Sequence, residues 1–268
     1  MSRVTVSSGS VTLSCQIDGP RDGEAPTLVF ANSLGTTLHL WDRILPYLPD
    51  TLRIIRYDMR GHGQSDVPPA PYTMGQLVSD AAAVCDAFKV KEAMFVGLSV
   101  GGMVAQGLAV KRPDLCRAMV LSNTAAKIGH PKLWQDRITT VQAQGMEPLA
   151  EGILQRWFGR DFLGSPDLQD YRAMLVATPP NGYAGICAAI NGTDFYQPTS
   201  GLRLPTLGIA GSEDGATPPD LVRETVDLIP GSQFRLMRRA GHLPCVEQPE
   251  VYATHLNDFL KATGHLTQ

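Results

Sequence analysis

Apolar residues in this chain form short runs that alternate with stretches of helical spacing. Runs that are apolar throughout, or that alternate apolar and polar positions, predict β-strands over residues 11–17, 27–31, 52–58, 93–97, 115–122, 204–211 and 233–237. Helical spacing predicts helices over residues 73–88, with Thr73 as N-cap, from Ser99 to Pro113, and over 219–228 and 248–260. This alternation favours an α/β fold with a mostly parallel, twisted sheet and helices on both faces.

The alternation is interrupted between residues 123 and 197. This stretch contains amphipathic helical patterns, at residues 132–144, 147–158, 167–177 and 183–190, and no convincing strand. We therefore predict an all-helical insertion, residues 124–197, that covers the ends of the strands as a cap, while residues 1–123 and 198–268 form the core. A length of 268 residues allows one substantial core with such an insertion.

Composition and charge argue against several classes of partner. Hydrophobic residues make up 43% of the chain and charged residues 18%, as in ordinary globular proteins. A net charge of −3 without a basic patch argues against nucleic acid or an anionic membrane as partner. No apolar stretch approaches the ~20 residues of a membrane span, and the opening residues lack the apolar core of a signal peptide.

The cysteines indicate a reducing compartment. They are five in number and widely spaced, and no two of them form a Cys-x-x-Cys pair. We therefore expect a cytoplasmic protein. Because the sequence contains no metal-ligand motif, phosphate loop or cofactor fingerprint, we expect it to need neither a metal nor a cofactor. The sequence leaves open whether the chain forms a homo-oligomer.

The pattern Gly-x-Ser-x-Gly at residues 97–101 lies between a predicted strand and a predicted helix. In this setting the pattern is typical of a nucleophile elbow, a sharp turn that lifts the serine hydroxyl clear of the backbone. Side chains at Gly97 and Gly101 would collide with the neighbouring strand and helix. We predict Ser99 as a nucleophile, the alternative being a glycine-rich loop with a bystander serine. A nucleophilic serine needs a histidine base, an acid and backbone donors for an oxyanion.

His242 is the best candidate for the base. It follows the last predicted strand and precedes the last predicted helix, and loops at the carboxyl ends of strands are where α/β sheets carry their chemistry. His62, bracketed by glycines, is interpreted as structural. His130 belongs to the insertion, where it either touches substrate or is solvated. No role is assigned to the remaining histidines, His39, His255 and His265.

Asp214 is the best candidate for the acid. It lies between a predicted apolar strand and a helix that begins with proline, in a loop suited to aim a carboxylate at His242. Its neighbour Glu213 is the rival and is expected to face solvent. Some hydrolases of this plan place the acid after the strand that precedes the cap, but residues 122–124 contain no carboxylate. The resulting chain order is serine, acid, histidine.

Two backbone N–H groups are candidates for the oxyanion hole. One belongs to Val100, the residue after the predicted nucleophile, and the other to Leu34, in the loop after the strand at residues 27–31. The Asn-Ser-Leu-Gly loop at residues 32–35 is small and ends in glycine, so it can leave an N–H free. The alternative is that this loop is only a tight turn.

Six segments carry a resemblance to a known family. They are residues 30–36, 57–66, 69–73, 97–102, 122–125 and 209–214. On these segments the chain resembles the α/β-hydrolase superfamily over nearly its whole length, and within it is similar to the 3-oxoadipate enol-lactonases of aromatic-compound catabolism. The Asn-Ser-Leu-Gly loop is the more particular feature, shared with enol-lactonases and some carbon–carbon bond hydrolases. The resemblance implies a Ser99–His242–Asp214 triad and a small enol-lactone substrate with a free carboxylate.

An anionic substrate calls for a cation in the cap. Helical spacing puts Trp134, Ile138 and Val141 on one stripe, with Arg137 at its edge, where its guanidinium could bind a carboxylate. The alternative is a solvated arginine beside a packing tryptophan. Five other cations of the insertion are less well placed, namely Lys127, Lys132, Arg156, Arg160 and Arg172.

Other activities use the same machinery. A general carboxylesterase, a carbon–carbon bond hydrolase with a larger pocket, and a cofactor-free perhydrolase all remain open. Dehalogenases and epoxide hydrolases fit poorly because they need an aspartate where this chain has Ser99. A non-catalytic receptor built on a hydrolase scaffold is also an alternative, although a receptor needs no nucleophile.

Overall fold

An eight-stranded β-sheet forms the centre of the computed structural model, which describes residues 3–21, 23 and 25–266. The sheet order is β1-β2-β4-β3-β5-β6-β7-β8. The strands are β1 (Arg3–Ser8), β2 (Val11–Asp18), β3 (Thr27–Ala31), β4 (Arg53–Tyr57), β5 (Ala93–Leu98), β6 (Cys116–Ser122), β7 (Thr206–Gly211) and β8 (Gln233–Met237). Strands β1 and β2 pair antiparallel, β2 pairs antiparallel with β4, and the remaining pairs are parallel. The predicted mostly parallel α/β sheet is confirmed.

Strand β1 was not predicted from the sequence. Only one of its six residues, Val6, is buried, so the apolar signal at this edge of the sheet is weak. Strands β3, β5 and β7 are buried at every position, and for this reason they read as continuous apolar runs.

Helices lie along the chain between the strands and on both faces of the sheet. They are α1 (Met74–Ala87), α2 (Val100–Lys111), α3 (Pro131–Gln144), α4 (Glu147–Trp157), α5 (Arg160–Leu163), α6 (Leu168–Val176), α7 (Pro180–Asn191), α8 (Tyr196–Ser200), α9 (Pro219–Asp227), α10 (Pro244–Glu247) and α11 (Pro249–Ala262). Short 3-10 turns occur at Leu38–Trp41, Leu45–Tyr47 and Pro113–Leu115. No helix in the described ranges is long and apolar enough to cross a membrane.

The predicted cap at the start of α1 is confirmed. The Thr73 hydroxyl accepts a hydrogen bond from the Gln76 N–H (3.3 Å), and the Gln76 side chain accepts one from the Thr73 N–H (2.8 Å). This reciprocal pair is a capping box, which satisfies two N–H groups that the first turn of a helix leaves without partners.

Helices α3 to α8 all lie between β6 and β7 in the chain. The four longer ones match the predicted amphipathic patterns, while the one-turn helices α5 and α8 were too short to show a period. Three rings in this segment pack together, with centroids 4.5 Å apart for Phe158 and Phe162 and 5.5 Å apart for Phe158 and Tyr171. Aromatic packing of this kind stabilises the segment, and the three rings belong to the same hydrophobic cluster as the sheet residues.

A buried ion pair holds the turn after β4 against α1. Arg60 donates from Nε and Nη2 to the two carboxylate oxygens of Asp80 (2.6 and 2.7 Å), and the two side chains are 7% and 2% exposed. The guanidinium also lies 5.8 Å from the centre of the Tyr72 ring. The same turn carries His62, so its placement matters for the site described below.

We predict that Asp80→Asn lowers the free energy of unfolding by about 3 kcal/mol, because it leaves the Arg60 charge buried without its carboxylate. Urea unfolding followed by circular dichroism measures the change. Asp136→Asn is the control, since its pair with Lys132 is 61% and 77% exposed, and we expect a change below about 0.5 kcal/mol. Equal effects of the two substitutions would contradict the prediction.

Candidate active site

Ser99 occupies a strained turn between β5 and α2. Its backbone has φ 59° and ψ −120°, in the left-handed half of the φ range that side chains rarely adopt. The flanking glycines make the turn possible: a Cβ on Gly97 would lie 2.2 Å from the Gly101 carbonyl oxygen, and one on Gly101 would lie 2.1 Å from the Ala31 carbonyl oxygen. The local geometry is therefore that of a nucleophile elbow.

The parallel register brings the predicted site loops together. Ala31 at the end of β3 pairs with Gly97, Leu98 pairs with Ser122 at the end of β6, and Ser122 pairs with Ile209 in β7. Because these strands point the same way, the loops that follow them meet at one edge of the sheet.

Asp214 and His242 are hydrogen-bonded in this region. Asp214 follows β7, His242 follows β8, and the distance from His242 Nδ1 to Asp214 Oδ2 is 2.9 Å. Both side chains are almost fully buried, at 0% and 2% exposure. His242 also lines one cavity together with Ser99, so the three residues predicted from separate loops share a site.

The Asp214 carboxylate accepts four further hydrogen bonds. Its Oδ1 accepts from the N–H groups of Ala216 (2.7 Å) and Thr217 (3.0 Å), and its Oδ2 accepts from the Thr217 hydroxyl (2.8 Å) and Asn123 Nδ2 (2.8 Å). Burial alone would raise the pKa of Asp214, but the neighbouring His242 and these donors hold that pKa below its usual value. The carboxylate is therefore kept ionised.

Asn123 is a site residue that the sequence analysis missed. Its amide donates to Asp214 Oδ2 and to the Gly241 carbonyl oxygen (3.2 Å), and so joins the acid to the loop that carries His242. Its backbone has φ 46°, which turns the chain sharply after β6. The sequence shows that residues 122–124 contain no carboxylate. It does not show that the Asn123 amide binds the carboxylate of Asp214, which lies 91 residues further along the chain.

The loop after β3 is anchored on three sides. The Asn32 side chain donates to the Tyr57 carbonyl oxygen (2.8 Å) and accepts from Trp41 Nε1 (2.7 Å), and the Gly35 N–H donates to His62 Nε2 (3.0 Å). Within the described ranges, the N–H groups of Leu34 and Val100 donate to no protein acceptor. Both residues remain candidates for an oxyanion hole.

His62 is fully buried, in agreement with its interpretation as structural. Burial lowers its pKa to about 4, against a smaller opposing effect of the Arg60 backbone. Since Nε2 accepts the Gly35 N–H, the ring is neutral and carries its proton on Nδ1.

A cavity of about 160 Å³ is lined by five of the predicted site residues, Ser99, His242, Leu34, Trp134 and Arg137, but not by Asp214 or Val100. Ser99 and His242 meet there with Leu34 and Thr217, from the loops after β3 and β7. Its remaining wall is mostly apolar and comes largely from the helical segment, and it includes Ile128, Leu133, Trp134, Trp157, Tyr183 and Ile190. None of the lining residues is an aspartate or a glutamate.

Two arginines line this cavity. Arg137 Nη1 lies 3.4 Å from the Tyr183 hydroxyl, and the guanidinium carbon lies 5.1 Å from the centre of the Trp134 ring. Trp134 is buried and donates its own N–H to the Ile128 carbonyl oxygen (2.7 Å). Arg156, ranked behind Arg137 from the sequence, lines the same cavity. Burial and the nearby Arg137 charge lower the pKa of Arg156.

The other cations considered from the sequence lie elsewhere. Lys127, Lys132, Arg160 and Arg172 each pair with a carboxylate outside the cavity, those of Asp194, Asp136, Glu213 and Glu147 respectively. His130 caps α3 by accepting from the Leu133 N–H and does not line the cavity. Glu213 was expected to face solvent but is only 18% exposed and turns toward α5. Within the described ranges, no group of three or more His, Cys, Asp or Glu side chains could hold a metal.

Comparison with known proteins agrees with this geometry. A family model described as alpha/beta hydrolase fold matches residues 26–249. The chain is 34% identical over 250 residues to 3-oxoadipate enol-lactonase 2 of Acinetobacter baylyi, covering 92% of each chain. It is 35% identical over 253 residues to enol-lactonase 1 of the same organism, covering 94% of each. The crystal structure of the enol-lactonase from Burkholderia xenovorans superposes with a TM-score of 0.92 at 36% identity, covering 97% of this chain and 100% of that one.

We predict that the neutral, buried His62 makes the protein less stable in acid. The unfolded chain binds a proton on this residue below pH 6.5 and the folded chain only below about pH 4, so stability falls as the pH is lowered through this window. The loss between pH 7 and pH 5 is about 2 kcal/mol from this group. Urea unfolding at pH 7 and at pH 5 measures this loss. The drop in the free energy of unfolding between the two pH values should be about 2 kcal/mol smaller in His62→Gln than in the wild-type protein. The surface variant His130→Gln should behave as wild type, and an unchanged difference in His62→Gln would refute the assignment.

Proposed function

We propose that this chain, which belongs to the alpha/beta hydrolase family and is a carboxylic-ester hydrolase of the enol-lactonase type, opens the lactone ring of 3-oxoadipate enol-lactone to give 3-oxoadipate. One observation carries the choice of substrate: the cavity that holds Ser99 and His242 also holds two arginines and no acidic side chain. A small ester that carries a carboxylate matches both features. The enol-lactonases at about 35% identity support the same substrate.

In the proposed reaction, Ser99 is the nucleophile and His242 the general base. His242 takes the proton of the Ser99 hydroxyl as its oxygen attacks the lactone carbonyl carbon. Asp214 accepts a hydrogen bond from His242 Nδ1, so the proton of the neutral ring is on Nδ1 and Nε2 is the basic nitrogen. The Asp214 charge also stabilises the imidazolium that forms. The ionised state of Asp214 suits this role.

The negative charge that develops on the carbonyl oxygen requires donors already in place. We assign this role to the N–H groups of Leu34 and Val100, which no protein acceptor occupies in the described part of the chain. Each donor of this kind contributes roughly 3 kcal/mol to the transition state. The anchored loop after β3 keeps the Leu34 N–H fixed through His62 and Asn32.

Collapse of the tetrahedral intermediate breaks the bond from the acyl carbon to the ring oxygen. The leaving group is an enolate that stays attached to the acyl chain, and the imidazolium of His242 returns its proton to it before it tautomerises to the ketone. Water then gives a proton to His242 and its hydroxide adds to the acyl carbon. Ser99 leaves with that proton, and the dicarboxylate product is released.

Arg137 and Trp134 form the proposed subsite for the substrate carboxylate. The Trp134 ring and the Tyr183 hydroxyl hold the Arg137 guanidinium at the cavity wall, and neither neutralises its charge. A carboxylate bound there would gain a charge-assisted hydrogen bond in a largely apolar surrounding. Arg156 would add to the positive potential of the same wall.

The cavity size bears on the alternative substrates. A volume of about 160 Å³ suits a small lactone and does not favour the bulkier substrates expected of a carbon–carbon bond hydrolase. We place the reaction in the catabolism of aromatic compounds, in the β-ketoadipate pathway, as the resemblance implies. A cytoplasmic location accords with the five cysteines, which all lie in the described ranges as buried, free thiols.

We also propose that residues 124–197 act as a cap on a core formed by residues 1–123 and 198–268. Helix α8 crosses residue 197, and its Thr199 donates to the Gln106 side chain in α2 (2.7 Å). The proposed boundary at residue 197 therefore falls within α8, where the chain returns to the core.

The first test is the ultraviolet decay of 3-oxoadipate enol-lactone with wild-type protein and Ser99→Ala. We expect rapid decay with wild type and a loss of at least about 10⁴-fold in the variant, because the nucleophile is removed. Circular dichroism of both proteins controls for folding. If wild-type protein hydrolyses a nitrophenyl ester but leaves the lactone intact, the triad assignment stands and the lactone assignment fails.

The second test concerns the carboxylate subsite. We expect Arg137→Ala to raise KM for the carboxylated lactone by about 30-fold, the loss of one charge-assisted hydrogen bond, and to leave KM for a neutral nitrophenyl ester within about twofold. Arg156→Ala should change KM in the same direction by a smaller factor. The control is Arg172→Ala, which removes a cation of the same helical segment that pairs with Glu147 away from the cavity. Equal losses on both substrates would remove Arg137 from the subsite.

A further inference from the structure

Residues 156–160, from the last two residues of α4 to the first residue of α5, are hydrogen-bonded to the loops that carry Asp214 and His242. We call these five residues the junction. The Trp157 carbonyl oxygen accepts the His242 N–H (2.7 Å), and the Arg156 carbonyl oxygen accepts the Gly215 N–H (3.1 Å). The backbone of the helical segment is therefore continuous, through hydrogen bonds, with the candidate base and acid.

Two carboxylates complete this arrangement. Glu247, at the end of α10, accepts the Gly241 N–H on Oε1 (2.7 Å) and the Gly159 N–H on Oε2 (2.9 Å). Glu213, beside Asp214, accepts the next N–H of the junction, that of Arg160 (2.8 Å). Glu247 thus joins Gly241, the residue immediately before His242, to the junction with a single side chain.

The close contacts at Gly241 and Gly159 leave no room for a larger side chain at either position. A Cβ on Gly241 would lie 2.5 Å from the Trp157 carbonyl oxygen, and a Cβ on Gly159 would lie 3.1 Å from both Glu213 Oε2 and Glu247 Oε2. Two carboxylates that flank one glycine repel each other. Burial raises the pKa of Glu247 to about 7, the charges of Glu213 and Asp214 add to this rise, and the two N–H donors oppose it.

Burying the Glu247 carboxylate beside Glu213 costs free energy, so its presence needs an explanation. Packing alone does not supply one, because an apolar side chain at this position would leave the N–H groups of Gly159 and Gly241 without acceptors. The ionised carboxylate satisfies both donors at once, and charge-assisted hydrogen bonds of this kind are short and directional. Their common effect is to hold the His242 loop at a set distance from the junction.

We propose that Glu247 is a positioning residue for His242, whose carboxylate ties the base to the cap so that the imidazole is held in the orientation that catalysis by Ser99 requires. The proposal rests on the roles assigned to Ser99 and His242 under the proposed function, and it holds for any ester that this pair hydrolyses. It makes the helical segment part of the catalytic framework in addition to being a wall of the substrate cavity.

Glu247→Gln tests the proposal with an almost isosteric change. The amide keeps one acceptor oxygen but turns an NH₂ group toward the other N–H donor. We expect kcat for 4-nitrophenyl acetate to fall roughly tenfold with KM within about twofold, and the rate of inactivation by a serine-directed phosphonate to fall by a similar factor. Both assays report on the base and the nucleophile and do not depend on the lactone.

The pH profile separates positioning from a purely structural role. The charges that act on the Glu247 carboxyl are those of Glu213 and Asp214, in the loop after β7. At the surface, Arg160 pairs with Glu213, and Asp161 pairs with Arg239 of the His242 loop. Protonation turns one carboxylate oxygen into a hydroxyl, a poorer acceptor for its N–H group, so wild-type activity should fall as the pH is lowered through about 7. We expect the acid side of the kcat/KM profile to be shallower in Glu247→Gln, which has lost this ionisation.

Asp161→Asn is the matched control. Its ion pair with Arg239 joins α5 to the same His242 loop, but the two side chains are 55% and 67% exposed. We expect this variant to keep wild-type kcat and pH profile, since surface pairs contribute little. The proposal is overturned if Glu247→Gln keeps kcat within twofold and an unchanged profile, or if Asp161→Asn loses as much activity.

A measurement on the wild-type protein keeps the proposal testable if Glu247→Gln does not fold. The amide protons of Gly159 and Gly241 should shift together in nuclear magnetic resonance spectra, with one common midpoint near pH 7, because one carboxylate accepts from both. Separate midpoints, or a shift of only one of the two amide protons, would refute the proposal. If Ser99→Ala retains esterase activity, the proposed function itself fails, which is a different result from an inert Glu247.

Discussion

Close backbone contact at the end of the central strands is the constraint on which the rest of the site depends. A Cβ on Gly97 or Gly101 would lie within 2.2 Å of a neighbouring carbonyl oxygen, so only glycine permits α2 to begin directly against β3 and β5. At this contact the chain turns with Ser99 at positive φ. A nucleophile on a less constrained turn would not meet both the loop after β3 and His242 in one cavity.

The buried part of the site and the cavity wall differ in charge. Asp214 lies behind His242, where five hydrogen bonds hold it as an anion, and the Asn123 amide extends that network to the His242 loop. The cavity wall on the other side carries Arg137 and Arg156 without an acidic partner among its lining residues. The proposed anionic ester would contact this cationic wall, whereas the Asp214 anion is already fully hydrogen-bonded within the protein.

The helical segment between β6 and β7 has two physical roles in this arrangement. Its inner faces supply the apolar wall and both arginines, and these determine which molecules fit. Its backbone at residues 156–160 is hydrogen-bonded to the loops of Asp214 and His242, directly through the carbonyl oxygens of Arg156 and Trp157 and indirectly through the Glu247 carboxylate. Binding and base placement are therefore mechanically linked, because a movement of this segment would shift the peptide beside His242.

The sequence by itself determined whatever depends on neighbours along the chain: the buried strands, the Thr73 cap, the α/β class, which is confirmed, and the elbow at Ser99. Asp214 and His242 were predictable because loops after parallel strands must meet at one edge of the sheet; their catalytic roles stay predictions. The tertiary structure placed Arg156, ranked behind Arg137 from the sequence, in the cavity wall, and it alone revealed Asn123, Glu247 and the carbonyl of Trp157. Each of these acts on a partner in another element, at separations of 91 residues for Asn123 and Asp214 and 88 for Gly159 and Glu247. Hydrophobic periodicity records only which face of an element is buried, whereas a hydrogen bond between two such elements depends on how the folded chain sets them side by side.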